Sequence, residues 1–438
     1  MIRWGGNFRM RDSLIEKGSD MSGNIFVYAD WMGLSGPRLV GTLQVTHAHG
    51  KEVFSFSYDK DWLQGGVPFE LDPDLRLYTG SQFVRGEKPN FGLFTDSAPD
   101  SWGRVLMGRR ERFLAVREGR NPRKLSESDF LLGVYDGYRM GALRFKLQTS
   151  GPFLDNQESI PSPPLTSLRT LEQASLHLEE EGAEDDPAFG TWIKELLSPG
   201  ASLGGARPKV SVVDPKGRLW IAKFPSRGDN RDVGGWEAVA QVLAGTAGLE
   251  VAVGQARKLT KARHTFLTRR FDRVGNGRIH FVSAMTLLGR TDGAGAAEGT
   301  SYLDLAELIM RVGAQPEKDM EELWRRIVFN IAITNSDDHL RNHGFLLTPN
   351  GWVLSPAYDL NPIPDAHGLT LNIDEQNNAL DMDLAREVAG QFRVGSLQAG
   401  KIIDQVMGAV RPWREVASNL GIARSEIALM ENAFLHSP

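Results

Sequence analysis

Residues 335–347 read NSDDHLRNHGFLL: two aspartates, two histidines, two asparagines and an arginine, then an apolar run. A solvated loop gains nothing from so abrupt a switch into GFLL, so the cluster reads as a site on a rigid support. Two chemistries compete for it. His339 and His343 stand four apart, which on a helix would put two imidazoles on one face for zinc. The hydrolytic zinc motif needs glutamate directly after the first histidine, and that position is Leu340. The NSDDH start and the glycine that follows also favour a loop over a helix interior. Phosphoryl transfer fits better. Asp337 and Asn342 have four residues between them. At that spacing a catalytic loop offers an aspartate to accept a hydroxyl proton and an asparagine to hold magnesium against phosphates. Asp338 misses the spacing, which makes Asp337 the candidate base.

Such a loop needs support on both sides. LWRRIVFNIAIT before it reads as a buried helix, and GFLLT, PNG and WVLS after it as strand, turn and strand. That hairpin delivers PAYDLNP, in which Asp359 is the natural second metal carboxylate. Magnesium takes few protein oxygens and leaves room for substrate phosphates, so Asn342 with Asp359 is a sensible set. A lysine on a strand, paired with a helix glutamate, must hold the nucleotide phosphates. Lys223 ends the apolar strand LWIAKF, and Glu237 lies in the helix WEAVAQVLAG. A buried lysine needs an anionic partner, and Glu237 can supply it. SLGGARPK, just before that strand, is neither the Walker pattern nor GxGxxG. Its two glycines and Lys209 could still turn N–H groups and a cation toward phosphates.

Composition narrows the field. With 41% hydrophobic and 24% charged residues the chain has an ordinary globular balance. Its net charge of −5 gives no overall pull toward nucleic acid or an anionic membrane. The absence of cysteine removes disulfides, thiolate nucleophiles and cysteine-ligated metal centres. No apolar run approaches the ~20 residues that span a bilayer, and residues 1–21 lack the apolar core of a secretory signal. The expectation is a cytoplasmic protein whose first 21 residues are a disordered extension.

Short β-branched and aromatic runs (NIFVYAD, LVGTLQVTH, EVFSFSYD) predict a β-rich start. Helical patterns follow in DSWGRVLMGRRERFLAVRE and, behind a capping serine, in SESDFLLGVYD. Residues 148–164 are polar and proline-rich and read as a linker. After a further helix and the SLGGARPK hairpin, helices dominate from Tyr302 onward. We therefore expect an α+β protein with a subdomain over 22–147, a linker over 148–164, a nucleotide-binding lobe over 165–271 and a mainly helical lobe over 272–438. The basic stretch 108–124 is the one candidate nucleic-acid surface, and a solvated helix face is its simpler reading.

Taken in order, SLGGARPK, WIAKF, RRFDR, NSDDHLRNHGF and SPAYDLNP resemble the HipA family, kinase toxins of type II toxin–antitoxin modules. VYADWMGLSGPRLVGTL and GLFTDSAPDSWGR are similar to that family's N-terminal subdomain. The resemblance implies a bilobal protein-kinase-like fold and serine/threonine phosphorylation with ATP and magnesium. Carried over by position, it implies Asp337 as catalytic residue and Asn342 and Asp359 at magnesium. It implies ATP contacts from Gly204, Gly205, Ala206, Arg207, Pro208, Lys209, Lys223, Arg269, Arg270, Phe271, His339 and Tyr358. Arg269 stands where other members can carry an acidic residue. Ser202 stands where the family has a self-phosphorylated serine. The implied partners are a small helix-turn-helix antitoxin (HipB-like), through which alone DNA would be reached, and an aminoacyl-tRNA synthetase as protein substrate. Two other readings share these motifs: a small-molecule phosphotransferase, and an inactive kinase fold that binds an antitoxin.

Overall fold

The computed structural model describes residues 23–65, 69–154, 163–197, 205–260 and 263–434. The β-rich start forms β1 (Gly23–Ala29), β2 (Arg38–Ala48) and β3 (Lys51–Tyr58). With β4 (Ser81–Phe83) and β5 (Leu143–Lys146) they make an antiparallel sheet of order β4-β3-β2-β1-β5. Alternation along each strand turns Ile25, Val27, Leu43, Val45, Phe54 and Phe56 inward.

A second antiparallel sheet, order β6-β7-β9-β8, comprises β6 (Lys209–Val213), β7 (Leu219–Lys223), β8 (Gly254–Arg257) and β9 (Thr265–Arg269). One face carries Trp220, Ala222 and Leu267 into a core with Trp102, Leu171 and Phe189. These last three come from the helices Ser101–Arg117, Leu168–Leu178 and Phe189–Leu197. The other face presents Lys209 and Lys223, which are cross-strand partners in the β6–β7 register. The helix Val233–Thr246 packs against β8 and β9 and is capped by Asp232, whose Oδ1 accepts from the Gly235 N–H at 3.1 Å.

The chain continues through a short hairpin, β10 (Arg273–Val274) and β11 (Gly277–Arg278), to β12 (Phe281–Ser283). β12 pairs with β13 (Gly344–Thr348), which pairs with β14 (Gly351–Leu354). Helices then dominate as expected, with Tyr302–Val312, Pro316–Ala332 and Ser396–Val410 the longest. Pro316 at the first helical position and Glu317 and Asp319 in the first turn suit the start of Pro316–Ala332. Its second half, from Leu323 to Ala332, is buried throughout. One apolar core runs from the N-terminal sheet to the C-terminal helices, from Val27 and Phe56 through Trp324 to Trp413. Among the described residues, no helix is long and apolar enough to cross a membrane.

Several arginines of the basic stretch 108–124 are engaged by neighbouring groups of the fold. Arg120 pairs with Glu111 at 2.6 Å, Arg123 with Asp129 at 2.7 Å, and Arg109 donates to the Leu178 carbonyl. This favours the helix-face reading over a nucleic-acid surface.

Candidate active site

The helix Pro316–Ala332 ends in a turn where Thr334 takes a left-handed φ of 51°, and 335–343 follows as a loop with one 3₁₀ turn at Leu340–Asn342. His339 and His343 are therefore not on one helical face, and the zinc spacing has no helix to act on. The two aspartates are treated in opposite ways. Asp338 is buried, and its Oδ2 accepts from the Tyr302 hydroxyl at 2.6 Å and from Asn330 Nδ2 at 2.8 Å, with His343 Nε2 also at 2.8 Å. Although burial opposes its charge, His343 and these donors keep its carboxyl below the ordinary range. Asp337 is exposed, and burial of its surroundings together with the Asp359 and Asp338 charges raises its carboxyl, against the pull of His339. One carboxylate braces the loop while its neighbour faces outward with raised proton affinity.

Asn342 fixes the loop from its far end, its Nδ2 donating to the Asp337 carbonyl at 3.0 Å. Its Oδ1 is buried without a hydrogen-bond partner. Gly344 follows because a Cβ there would collide with the Phe281 ring on β12. β13 and β14 then carry the chain to Asp359, which also adopts a left-handed φ, 59°. Strain of this kind in a residue other than glycine persists only where the surroundings over-determine it.

The surroundings here are a lysine and an asparagine. Lys223 Nζ lies 2.5 Å from Glu237 Oε1 and 2.6 Å from Asp359 Oδ1. Asn361 Nδ2 reaches the same Asp359 oxygen at 3.1 Å. Burial disfavours the charge on Lys223, but Asp359 and Glu237 together raise its affinity for the proton. Burial likewise opposes the charge on Asp359, yet Lys223 holds its carboxyl at about 2. Glu237, the more enclosed acid, is lifted by burial to about 7 despite Lys223. The expected Lys223–Glu237 pair is thus present, and Asp359 joins it from the other lobe.

The remaining sequence candidates separate. Ser202 and Gly204 lie outside the described residues. Gly205 and Ala206 are exposed, and the Pro208 carbonyl is taken by the Phe224 N–H at 2.8 Å. Arg207 does not reach out: it forms a bidentate pair with Asp229 at 2.9 and 2.7 Å. Lys209 is buried against Asp100 at 2.8 Å. Tyr358 donates to the Arg341 carbonyl at 2.6 Å, and its ring lies 5.5 Å from Phe271. His339 sits beside Asp337, whose carbonyl accepts its N–H at 3.0 Å, with Nδ1 buried and unpartnered. In the 269–271 segment the two arginine side chains are engaged elsewhere, which leaves the backbone and the Phe271 ring to face the site. Arg269 pairs with Trp220 across the sheet, on the face away from Lys223. Arg270 is fully enclosed, bound to Asp272 and to the carbonyls of Tyr138 and Arg139. Phe266 and Thr268 line a small cavity with Glu237 and Tyr358 instead.

Sequence reasoning missed Asp338, Tyr302 and Asn330 as the brace, and Asn361 beside Asp359. An available signal was Asn330, a polar residue in the apolar run IVFNIAI, which once buried must find a partner.

The family described as HipA-like C-terminal domain matches residues 201–413, nearly all of the region just described. Over these residues the chain is similar to HipA-like C-terminal domains. The resemblance read from SLGGARPK, NSDDHLRNHGF and SPAYDLNP is borne out. The "Putative kinase Y4mE" of Sinorhizobium fredii is 31% identical over 182 residues, which are 36% of this chain and 41% of that protein. The match thus spans less than half of that relative's length. The Shewanella oneidensis MR-1 HipA, solved with HipB and its operator DNA, superposes with a TM-score of 0.64. It does so over 94% of this chain and 95% of that one at 16% identity, which establishes a shared fold. The α+β architecture expected from the sequence is the one observed, and it is shared with that HipA.

Proposed function

We propose that the protein is an ATP- and magnesium-dependent serine/threonine protein kinase that acts as the toxin of a toxin–antitoxin pair. The observation that carries this reading is the bridge from Lys223 to both Glu237 and Asp359, at 2.5 and 2.6 Å, which ties the strand of one lobe to the metal-type carboxylate of the other. The donor set suits a hard divalent cation: Asp359 is held ionised, and Asn342 and Asn361 each keep a buried amide oxygen without a partner. Magnesium bound there would neutralise charge on the nucleotide phosphates.

The protein residues do the rest. Lys223 holds the phosphates of ATP, and Glu237 keeps Lys223 extended. Asp337 accepts the proton of a substrate hydroxyl as that oxygen bonds to the γ-phosphorus. The bond from the γ-phosphorus to its bridging oxygen breaks, and ADP leaves with the electron pair. Asp338, through Tyr302, Asn330 and His343, holds Asp337 at the loop surface.

The substrate class follows the family: a protein, with an aminoacyl-tRNA synthetase as the foremost candidate, so that phosphorylation would halt translation. The Shewanella oneidensis relative was solved with HipB on operator DNA, which supports a HipB-like helix-turn-helix antitoxin here. Ser202 is proposed as a self-phosphorylation site that removes the glycine loop from the nucleotide. Radiolabelled ATP added with the protein to a cell lysate, followed by identification of the labelled band, tests the reading. Label on a macromolecule that is lost with Asp337→Asn is expected. Label only on a small molecule would replace protein kinase with small-molecule phosphotransferase.

A further inference from the structure

Lys209 and Lys223 face each other across β6 and β7. Each is buried, and each carries a carboxylate from a different part of the fold. Glu237 comes from the helix packed on the same sheet, whereas Asp100 comes from the N-terminal subdomain, 109 residues away in sequence. The Asp100–Lys209 pair is 2.8 Å long, with side chains only 2% and 3% exposed. Lys209 Nζ also donates to the Gly205 carbonyl at 3.0 Å, so the same ammonium holds the end of the glycine loop. Its charge reaches Asp359, whose ionised form it favours.

Asp100 is itself fixed. Its Oδ1 accepts from the Gly103 N–H at 2.8 Å and caps the helix Ser101–Arg117, which packs on the nucleotide-binding sheet through Trp102 and Leu106. Four residues earlier, Asp96 accepts from the Ser283 N–H at 2.7 Å and from its hydroxyl at 2.8 Å. Ser283 is the β12 partner of Gly344, the residue that closes the 335–343 loop. Between them, Arg139 donates to the Ser97 carbonyl at 2.8 Å. The segment 96–100 thus grips the phosphate-side lysine of one lobe and the strand beside the catalytic loop of the other.

We infer that Asp100 is a positioning residue for nucleotide binding: it fixes Lys209, and through it the backbone at Gly205, on the sheet face that carries Lys223, and couples the N-terminal subdomain to the site. The inference rests on the kinase reading above. Asp100→Asn is the variant of choice, because asparagine keeps the helix cap while removing the charge that holds Lys209. Binding of magnesium–ATP and of adenosine is measured by calorimetry for wild type and variant, together with the melting temperature of each without nucleotide. We expect roughly tenfold weaker ATP binding, the size of one charge-assisted contact, and adenosine binding changed less than about twofold on the same scale. Equal weakening for ATP and adenosine, or unchanged ATP binding, overturns the inference while leaving the kinase reading in place. Wild type that binds neither ligand overturns both. If Asp100→Asn fails to fold, Asp100→Glu keeps the charge but displaces it, and a loss confined to ATP is again required.

Discussion

Replacing Lys223 by methionine keeps the aliphatic stem and removes the cation between Glu237 and Asp359. Both carboxylates contact the same Nζ, and Lys223 and Glu237 have side chains only 8% and 4% exposed. Stripping one partner from a buried pair costs roughly 3–5 kcal/mol, but protonation of Glu237 can relieve part of that. In wild type Glu237 sits at about 7, raised by burial and held from rising further by Lys223. Without Lys223, burial and the Asp359 charge are opposed only by the weaker pull of Arg207, and its proton affinity rises above that value. A folded-state value raised above the unfolded one contributes stability that is present at low pH and lost as pH rises through the folded value. Wild type has finished losing it near pH 7, whereas Lys223→Met continues to lose roughly 1.4 kcal/mol per pH unit beyond it. Denaturant unfolding of both proteins at pH 7 and pH 8.5 should therefore show the gap between them widening by about 2 kcal/mol. Adding Glu237→Gln should close most of the gap at pH 8.5. A gap independent of pH, or a double variant as unstable as Lys223→Met, would refute the assignment of charge in this cluster.

Asp338→Asn should destabilise the protein by roughly 2–4 kcal/mol, since it weakens a buried carboxylate with three donors; Asp337→Asn, at an exposed position, should leave the thermal midpoint nearly unchanged. His280 stacks on Trp31 at 5.2 Å, and burial lowers it from 6.5 to about 3 with neither ring nitrogen partnered. Its neutral form contributes stability that is complete above pH 6.5 and is lost as pH falls toward 3; in His280→Phe that acid-side slope should shrink, as chemical unfolding across the range would register. Asn342→Ala should bind ATP with little response to magnesium, and an unchanged magnesium dependence in titration calorimetry would remove Asn342 from the metal set.

Residues whose partners lie nearby in the chain were legible from sequence. The β13–β14 hairpin follows from GFLLT, a PNG turn and WVLS, and Glu237 stands fourteen residues from Lys223 on the next helix. What stayed hidden was contact between distant segments. Asp359 reaches Lys223 across 136 residues, Tyr302 reaches Asp338 across 36, and Asp100 reaches Lys209 across 109. No periodicity encodes such pairings, because they depend on how lobes dock and not on which face a strand or helix buries. The partners of Arg207 and Arg270 stayed hidden for a related reason. A motif gives the position of each arginine in the chain, but the carboxylates that claim them, Asp229 and Asp272, are set by loop geometry.

We propose Asp337 as the base of a phosphoryl transfer and Asp338 as its brace. The most direct test is transfer of radiolabelled γ-phosphate from magnesium–ATP to protein in a lysate, at equal folded concentrations of wild type, Asp337→Asn and Asp338→Asn. Transfer is expected from wild type, none above background from Asp337→Asn despite retained ATP binding, and residual transfer from folded Asp338→Asn. Active Asp337→Asn alongside a folded but inactive Asp338→Asn would contradict this assignment.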